Sequence, residues 1–187
     1  RLLELNISKL RDYLNYLHNH PEEIKLIGQD FLINVTYFFR DREVFDIIQN
    51  SVIPGIFTDK KPGDIVKVWS IACSSGEEAY SLAILFHEYI EKRKLYDVTL
   101  KIFATDIDRE SLDRAAKGIY PKSSLRDVSR ERIVRFFVAE GENYRILPEI
   151  RKMIVFSYHD VLKDPPFSRM DLILCRNMLI YIGADAQ

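Results

Sequence analysis

The chain has 187 residues, 47% of them apolar, and 27 Lys and Arg side chains against 28 Asp and Glu side chains give a net charge of −1. The apolar content excludes an intrinsically disordered chain, and the near-neutral balance gives no reason to expect nucleic acid or an anionic membrane as a partner. No apolar run approaches the roughly 20 residues of a membrane span, and the residues from Arg1 onward do not form a signal peptide. The composition therefore predicts a soluble, cytoplasmic domain.

Residues 1–36 are predicted to form an N-terminal helical region. Ser8 is a candidate cap for a helix over residues 9–19, in which apolar side chains recur at helical spacing. Pro21 suits the first turn of a second helix that continues to Ile33.

Residues 37–187 are predicted to form one α/β domain. β-Branched and aromatic residues over 34–40 (NVTYFFR) break the helical pattern, and Asp41 is a candidate cap for a helix that ends before Pro54. Strands and helices then alternate, with a strand over 66–71, a helix over 77–93, a strand over 99–105, a helix over 109–117, and strands over 153–157 and 171–175. This alternation predicts a doubly wound, mostly parallel sheet.

The stretch at about 118–152 lengthens one connection of the predicted sheet. It contains a short amphipathic helix from Ser129 to Phe137, a turn at 141–143 and a strand-like segment from Tyr144 to Leu147. A connection of this length carries structure of its own. We therefore expect a small inserted subdomain here.

The segment from Val66 to Ser81 (VKVWSIACSSGEEAYS) runs from a buried strand through a loop of small residues into an acidic helix start. Small side chains let a ligand approach the backbone, and such strand-to-helix turns are where open α/β sheets bind cofactors. Asp106 closes the strand over 99–105, where a carboxylate suits the two hydroxyls of a ribose. Asp108 is instead typical of a helix cap. These residues indicate a nucleoside-containing cofactor and no more.

Six motifs, taken together and in this order, resemble the CheR family, S-adenosylmethionine-dependent methyltransferases that esterify glutamates on bacterial chemotaxis receptors. The motifs are NVTYFFR (34–40), ACSSGEEAYS (72–81), ATDID (104–108), KGIYP (117–121), HDVLKDPPF (159–167) and LILCRNMLIY (172–181). The version fused to a CheB-type methylesterase and sensor domains is the most similar. The resemblance implies a Rossmann-like methyltransferase fold with a small inserted β-subdomain.

The resemblance also implies that part of the family fold is absent. CheR proteins continue past the IY motif with a helix and further strands that finish the sheet, whereas this chain stops at Gln187. We expect a truncated methyltransferase domain over 37–187 with an open sheet edge. Such a fragment is expected to be less stable than its parent, or inactive.

The resemblance implies which residues contact the cofactor, S-adenosylmethionine, or its product, S-adenosylhomocysteine. Glu77 would accept bonds from the methionyl amine, although an acid in the first turn of a helix also interacts favourably with the helix dipole. Asp106 would bind the ribose, and Asp160 would accept a bond from the adenine amine beside Val161. The implied cofactor-binding residues are Asn34, Thr36, Arg40, Glu77, Asp106, Asp160, Val161, Cys175 and Arg176.

Arg40, Arg176 and Tyr181 are the implied catalytic residues, because the resemblance places them beside the methyl-transfer centre. A guanidinium fork fixes the geometry of a carboxylate, which an acceptor glutamate requires. From the local sequence alone, Arg40 is better explained as a surface partner of Glu43 or Asp41. The resemblance favours the catalytic site, and Tyr181 has the alternative of packing under the sheet.

The implied reaction needs neither a metal ion nor a general base. A glutamate side chain has a pKa of about 4.3 and is already ionised at neutral pH. Catalysis then depends on proximity and in-line orientation, which can contribute roughly 7–11 kcal/mol. Cys73 and Cys175 are not expected to bind a metal ion as a pair, because no His or acidic residue completes a ligand set. The alternative function is a non-catalytic cofactor-binding or receptor-docking module of a larger sensor protein.

The implied partner is a methyl-accepting chemotaxis receptor or a related signalling protein, with no nucleic acid and no membrane insertion. Some CheR proteins grip a pentapeptide at the receptor's C-terminal tail, which adds as a strand beside a longer, glycine-bearing loop of the inserted subdomain. Here the turn over 139–143 is short and carries two acidic side chains and one glycine. This predicts a pentapeptide-independent protein; the alternative is a hairpin tip without a partner.

Overall fold

The computed structural model describes residue 2, residues 4–24, residue 27 and residues 36–183, and the chain divides into two compact units, 1–35 and 36–187. In the first unit, helix α1 runs over Leu10–Asn19 and confirms the first predicted helix, but the predicted Ser8 cap is wrong, because the N-cap residue is Lys9 and it makes no side-chain capping hydrogen bond. The hydroxyl of its buried Tyr13 donates to Glu23 Oε1 at 3.0 Å. Residues 21–24 are helical, and most of the second predicted helix, through Ile33, lies outside the described residues.

Helix α2 runs from Arg42 to Phe57 in three segments: α-helical Arg42–Ile47, π-helical Ile48–Val52 and α-helical Ile53–Phe57. The prediction that this helix ends before Pro54 is wrong. The π turn resets the hydrogen-bond register, so Pro54 stands in the first turn of the last segment, where its missing N–H is tolerated. The predicted Asp41 cap is also wrong, because its side chain makes no capping hydrogen bond.

The rest of the described chain alternates between strands and helices, as predicted. The strands are β1 Ile65–Ile71, β2 Thr99–Asp106, β3 Ile119–Pro121, β4 Phe137–Glu140, β5 Asn143–Ile146, β6 Ile154–Tyr158 and β7 Leu172–Cys175. The helices are α3 Glu77–Arg93, α4 Arg109–Lys117, α5 Arg130–Phe136 and α6 Pro148–Arg151, with 3₁₀ turns at Lys122–Leu125 and Leu179–Tyr181.

A four-stranded parallel sheet in the order β6-β2-β1-β7 forms the centre of the second unit. Val66 and Val68 of the central strand are fully buried beneath α3, whose Leu82 and Phe86 are also fully buried. Strands buried in this way have near-continuous apolar sequences, which is why the pattern predicts them. The α/β, Rossmann-like fold class is confirmed, and the carboxyl ends of the strands meet at one edge.

The inserted stretch folds into a second, antiparallel sheet in the order β3-β5-β4. Ser129 caps α5 by accepting a hydrogen bond from the Arg132 N–H. Arg132 also forms a two-pronged ion pair with Glu88 of α3, with nitrogen–oxygen distances of 2.9 and 2.7 Å. The inserted sheet is therefore tied to the helix that covers the parallel sheet.

Gly76 is required where the β1–α3 loop enters α3. Its φ is +91°, and a Cβ there would lie 2.8 Å from the Ala115 Cβ and 3.0 Å from a Phe156 ring carbon. We expect Gly76→Ala to lower the free energy of unfolding by about 3 kcal/mol or more, from left-handed strain plus overpacking. Gly63 is the matched control, since its φ is +90° and a Cβ there would meet nothing within 4 Å.

Urea unfolding of both variants separates the cost of left-handed backbone strain from the cost of overpacking. Gly63→Ala should lose only about 1 kcal/mol, the cost of the left-handed backbone alone. Equal losses in the two variants would show that Ala115 and Phe156 do not constrain the loop.

Candidate active site

The β1–α3 loop, residues 72–76, holds a strained backbone at the carboxyl edge of the sheet. Ala72 and Ser74 have φ values of +54° and +48°, which are uncommon outside glycine. The Cys73 N–H donates to Thr105 O at 3.0 Å, which fixes the loop to the next strand. Backbone strain of this kind persists only where the surrounding structure enforces it, and it is concentrated at binding sites.

Asp106 ends β2 and accepts two backbone hydrogen bonds. Its Oδ2 accepts from the Ser74 N–H at 2.7 Å and its Oδ1 from the Asp108 N–H at 2.8 Å. A carboxylate has about four acceptor positions, so Asp106 retains capacity for a further donor such as a ribose hydroxyl. Burial raises the pKa of Asp106, against the opposing effects of the Asp108, Ser74 and Ile107 N–H groups.

Asp108 has the structural role that its sequence position predicted. It caps α4 by accepting from the Glu110 N–H at 3.0 Å and from the Ser111 hydroxyl at 2.6 Å. This prediction is confirmed. The assignment of the ribose to Asp106 rather than Asp108 stays a prediction, and the two carboxylates are now distinguished by their hydrogen-bond partners.

Glu77 is the first residue of α3 and is 3% exposed. Its Oε2 accepts from the Ser75 hydroxyl at 2.8 Å. Burial raises the pKa of Glu77, with the Ser75 hydrogen bond acting in the opposite direction. A carboxylate that has lost its hydration is well suited to bind an ammonium group, because a nearby cation favours the ionised form of the acid.

Glu77→Gln should therefore increase the free energy of unfolding while weakening the binding of the cofactor. Because the folded-state pKa of Glu77 is raised above 4.5, the stabilisation from the amide is present at neutral pH. It should disappear as the pH falls through the raised pKa to below 4.5, where both side chains are neutral. Affinity for S-adenosylhomocysteine should fall about tenfold or more if a charged hydrogen bond to the amine is lost.

The measurements are urea unfolding at several pH values and calorimetric titration. Loss of stability at neutral pH would show that the Glu77 carboxylate is stabilising without cofactor. Unchanged affinity would remove Glu77 from the amine-binding role.

Arg176 follows β7 directly and contacts two other segments of the chain, residues 40–45 and the start of α3. Its Nη1 donates to Glu78 Oε2 at 3.2 Å and its Nη2 to the Arg40 carbonyl at 2.8 Å. Nη2 also forms an ion pair with the Asp41 carboxylate, and the guanidinium lies over the Phe45 ring. Arg40 and Arg176 are thus brought together, and Asp41, considered a partner for Arg40, binds Arg176.

Glu78 is a member of this cluster that the sequence analysis did not assign to the site. Besides Arg176, it accepts from the Ser70 hydroxyl at 2.9 Å. Burial raises the pKa of Glu78, while Ser70 and then Arg176 act in the opposite direction. The second acid of the GEE motif was the available signal, but nothing local points to a partner 98 residues away.

The remaining candidate residues are arranged less closely. Tyr181 lies in the last 3₁₀ turn with its side chain 59% exposed. The Asp160 carboxylate accepts from the Leu162 N–H at 3.1 Å and pairs with Lys163, which lowers the pKa of Asp160. Partial burial is found for Thr36, Val161 and Cys175, whereas Asn34 lies outside the described residues.

Neither a metal cluster nor a membrane-spanning helix is found among the described residues. No group of three or more His, Cys, Asp or Glu side chains is arranged to hold a metal ion in this part of the chain. No helix there is long and apolar enough to cross a membrane.

A family model described as CheR methyltransferase, SAM binding domain, matches residues 34–187. The chain belongs to the CheR methyltransferase family. Its cofactor is accordingly S-adenosylmethionine, which confirms the resemblance predicted from the six motifs.

Curated relatives agree with this assignment. The chain is 37% identical over 191 residues to a chemotaxis protein methyltransferase of Listeria innocua, covering 100% of this chain and 70% of the relative. It is 32% identical over 178 residues to one of Borreliella burgdorferi, covering 91% and 62%. An uncharacterized 104.1 kDa protein in the hypE 3′ region of Rhodobacter capsulatus is 40% identical over 181 residues, covering 97% of this chain but 19% of that protein.

The side chains at the strand edge suit the charges of the cofactor. Burial raises the pKa values of three carboxylates here, those of the buried Glu77 and Asp106 and of the partly buried Glu78. S-adenosylmethionine carries a sulfonium and an ammonium cation, and cations near these groups would favour their ionised forms. Arg176 supplies a cation for a carboxylate, and the loop of small residues permits close approach. The donor set therefore fits this cofactor.

Proposed function

We propose that the protein of which this chain is part transfers the methyl group of S-adenosylmethionine to glutamate side chains of chemotaxis receptors. The products are a glutamyl methyl ester and S-adenosylhomocysteine, and the reaction would serve adaptation of signalling in the cytoplasm. The observation that carries the proposal is the partly buried Arg176, 12% exposed at its side chain, held at the carboxyl edge of a methyltransferase sheet. The names of the Listeria and Borreliella relatives support it.

The chemistry assigned to the protein side chains is orientation. When bound, the cofactor supplies an activated methyl group on sulfur, and the carbon–sulfur electron pair stays with sulfur as the new carbon–oxygen bond forms. The acceptor glutamate is ionised at neutral pH, so no residue has to remove a proton. Arg176 and Arg40 would hold the acceptor carboxylate in line with the methyl group, and Tyr181 would complete the contact.

Asp41 supports the assignment of Arg176 to a carboxylate. Its carboxylate already binds the guanidinium, yet its side chain is 53% exposed. An incoming carboxylate can therefore reach the same cation from solvent. Other N–H groups of the guanidinium donate to Glu78 and to the Arg40 carbonyl. These hydrogen bonds keep the guanidinium oriented when the acceptor carboxylate binds.

For the partner, we propose direct engagement of the receptor's methylation-site helices without a tethered pentapeptide. The β4–β5 turn has only two residues, Gly141 and Glu142, and β4 is four residues long, so it offers a short edge for strand addition. Acidic repulsion supports this less than the sequence suggested, because Arg145 pairs with Glu140 at 2.9 Å. A pentapeptide titration that gave micromolar affinity at residues 135–150 would contradict the proposal.

The function is tested by incubating the whole protein with methyl-labelled S-adenosylmethionine and a receptor fragment. Label on the fragment that mild alkali releases as methanol would support ester formation. Cofactor binding without transfer to any receptor fragment would favour the non-catalytic docking module instead.

A further inference from the structure

His159 directly precedes Asp160 and Val161, the residues assigned to the adenine. The residue is only 9% exposed, below the level typical of a surface residue. A buried imidazole outside the proposed chemistry requires a physical explanation.

The histidine closes a turn and joins that turn to β2. Its backbone N–H donates to Asp106 O at 3.1 Å, and its Nε2 lies 3.1 Å from Pro165 O. A carbonyl only accepts, so Nε2 carries the proton. In the neutral ring Nδ1 is then unprotonated, and this buried atom has no hydrogen-bond partner in the described part of the chain.

Aromatic packing fixes the orientation of the same ring. It stacks on Phe167 with centroids 5.2 Å apart and meets Trp69 edge-on at 5.3 Å. The Trp69 indole N–H in turn donates to the Thr105 hydroxyl at 2.9 Å. The ring is therefore held by the central strand on one side and by the loop it closes on the other.

We propose that His159 is a positioning residue for the cofactor. Its Nε2–H bond to Pro165 O sets the shape of the 160–165 turn, and its backbone N–H sets the place of that turn against Asp106. Together these bonds hold the adenine-facing and ribose-facing residues at a fixed separation. The inference rests on the proposed cofactor contacts of Asp106 and Asp160.

Three variants of His159 separate the effect of its N–H donor from the effect of its aromatic ring. His159→Gln keeps an N–H donor on a side chain of similar reach, His159→Met has similar length without a donor, and His159→Phe keeps the ring without a donor. Calorimetric titration of the chain with S-adenosylhomocysteine should show near-normal affinity for the Gln variant. The Met and Phe variants should bind about tenfold more weakly, as expected for one lost hydrogen bond.

Two further measurements distinguish positioning from general stability. Homocysteine, which lacks the adenosine, should inhibit methyl transfer by the wild-type and Phe variants of the whole protein equally. In the same assay, the Phe variant should raise KM for the cofactor and leave kcat unchanged at saturation.

The binding measurements distinguish failure of the proposed cofactor contacts from failure of the proposed role of His159. Failure of the wild-type chain to bind S-adenosylhomocysteine would overturn the cofactor contacts and this inference with them. Normal wild-type affinity with equal affinities for the Gln, Met and Phe variants would overturn the role of His159 alone. If the Phe variant does not fold, the comparison of Gln with Met decides the question by the same criterion.

Discussion

Replacing Arg176 with alanine in the whole protein is expected to reduce methyl transfer to the receptor by about a hundredfold or more. The substitution removes the guanidinium that would orient the acceptor carboxylate, and lost preorganised contacts at a reacting group have effects of this size. It also removes the cation that is paired with the partly buried Glu78 carboxylate, which should lower the free energy of unfolding by about 3–5 kcal/mol. Steady-state kinetics at saturating cofactor and urea unfolding measure the two effects.

Arg132→Ala provides the matched control for the Arg176 variant. Arg132 also makes a close ion pair, with Glu88 at 2.7 Å and side chains 21% and 22% exposed, but it belongs to the inserted stretch rather than the strand ends. It should lose stability while retaining kcat. Arg176→Lys keeps the charge without the planar fork and should recover little activity. Normal turnover of Arg176→Ala at saturating substrates would remove Arg176 from the reaction.

Asp106→Ala is expected to weaken S-adenosylhomocysteine binding by roughly 1–3 kcal/mol, or about fivefold to 150-fold. Asp106 is 8% exposed, so water cannot easily replace its carboxylate as the proposed acceptor for ribose hydroxyls. The Ser74 N–H would also lose its acceptor, which loosens the strained loop over 72–76. Calorimetry measures the affinity, and urea unfolding measures the accompanying loss of stability.

Asp108→Ala is the control for Asp106, since the two carboxylates are similarly buried and two residues apart. Loss of the α4 cap should cost about 0.5–2 kcal/mol of stability with cofactor affinity retained. If Asp106→Ala bound the cofactor normally, or if Asp108→Ala lost affinity as strongly, the ribose assignment would be wrong.

Much of the fold was predictable because its signals are local. The parallel strands are mostly apolar runs, and α4 begins directly after its cap Asp108 and ends before Gly118, whose φ of +65° is typical of a helix C-terminus. The continuation of α2 through Pro54 was not predictable in this way. It depends on a π turn over Ile48–Val52, a local change of register that a 3.6-residue period does not reveal.

The candidate site was predictable where a motif marks a strand end, and less so where its chemistry depends on distant contacts. Asp106 and Glu77 follow directly from their positions at the ends of secondary-structure elements. The partnership of Glu78 with Arg176 joins the start of α3 to the end of β7, and burial of His159 depends on Trp69 and Phe167. Periodicity identifies a buried face but does not identify which distant side chain will meet it.

The most direct test of the proposed reaction is the identity of the bond formed on the receptor. A receptor fragment incubated with the whole protein and S-adenosylmethionine is digested and examined by mass spectrometry, with and without mild alkali. We predict one methyl group on glutamate side chains, lost in alkali as methanol and absent when the modified glutamates are replaced by alanine. A methyl group that resists alkali, or one that maps to lysine, arginine or a hydroxyl side chain, would contradict the proposed reaction.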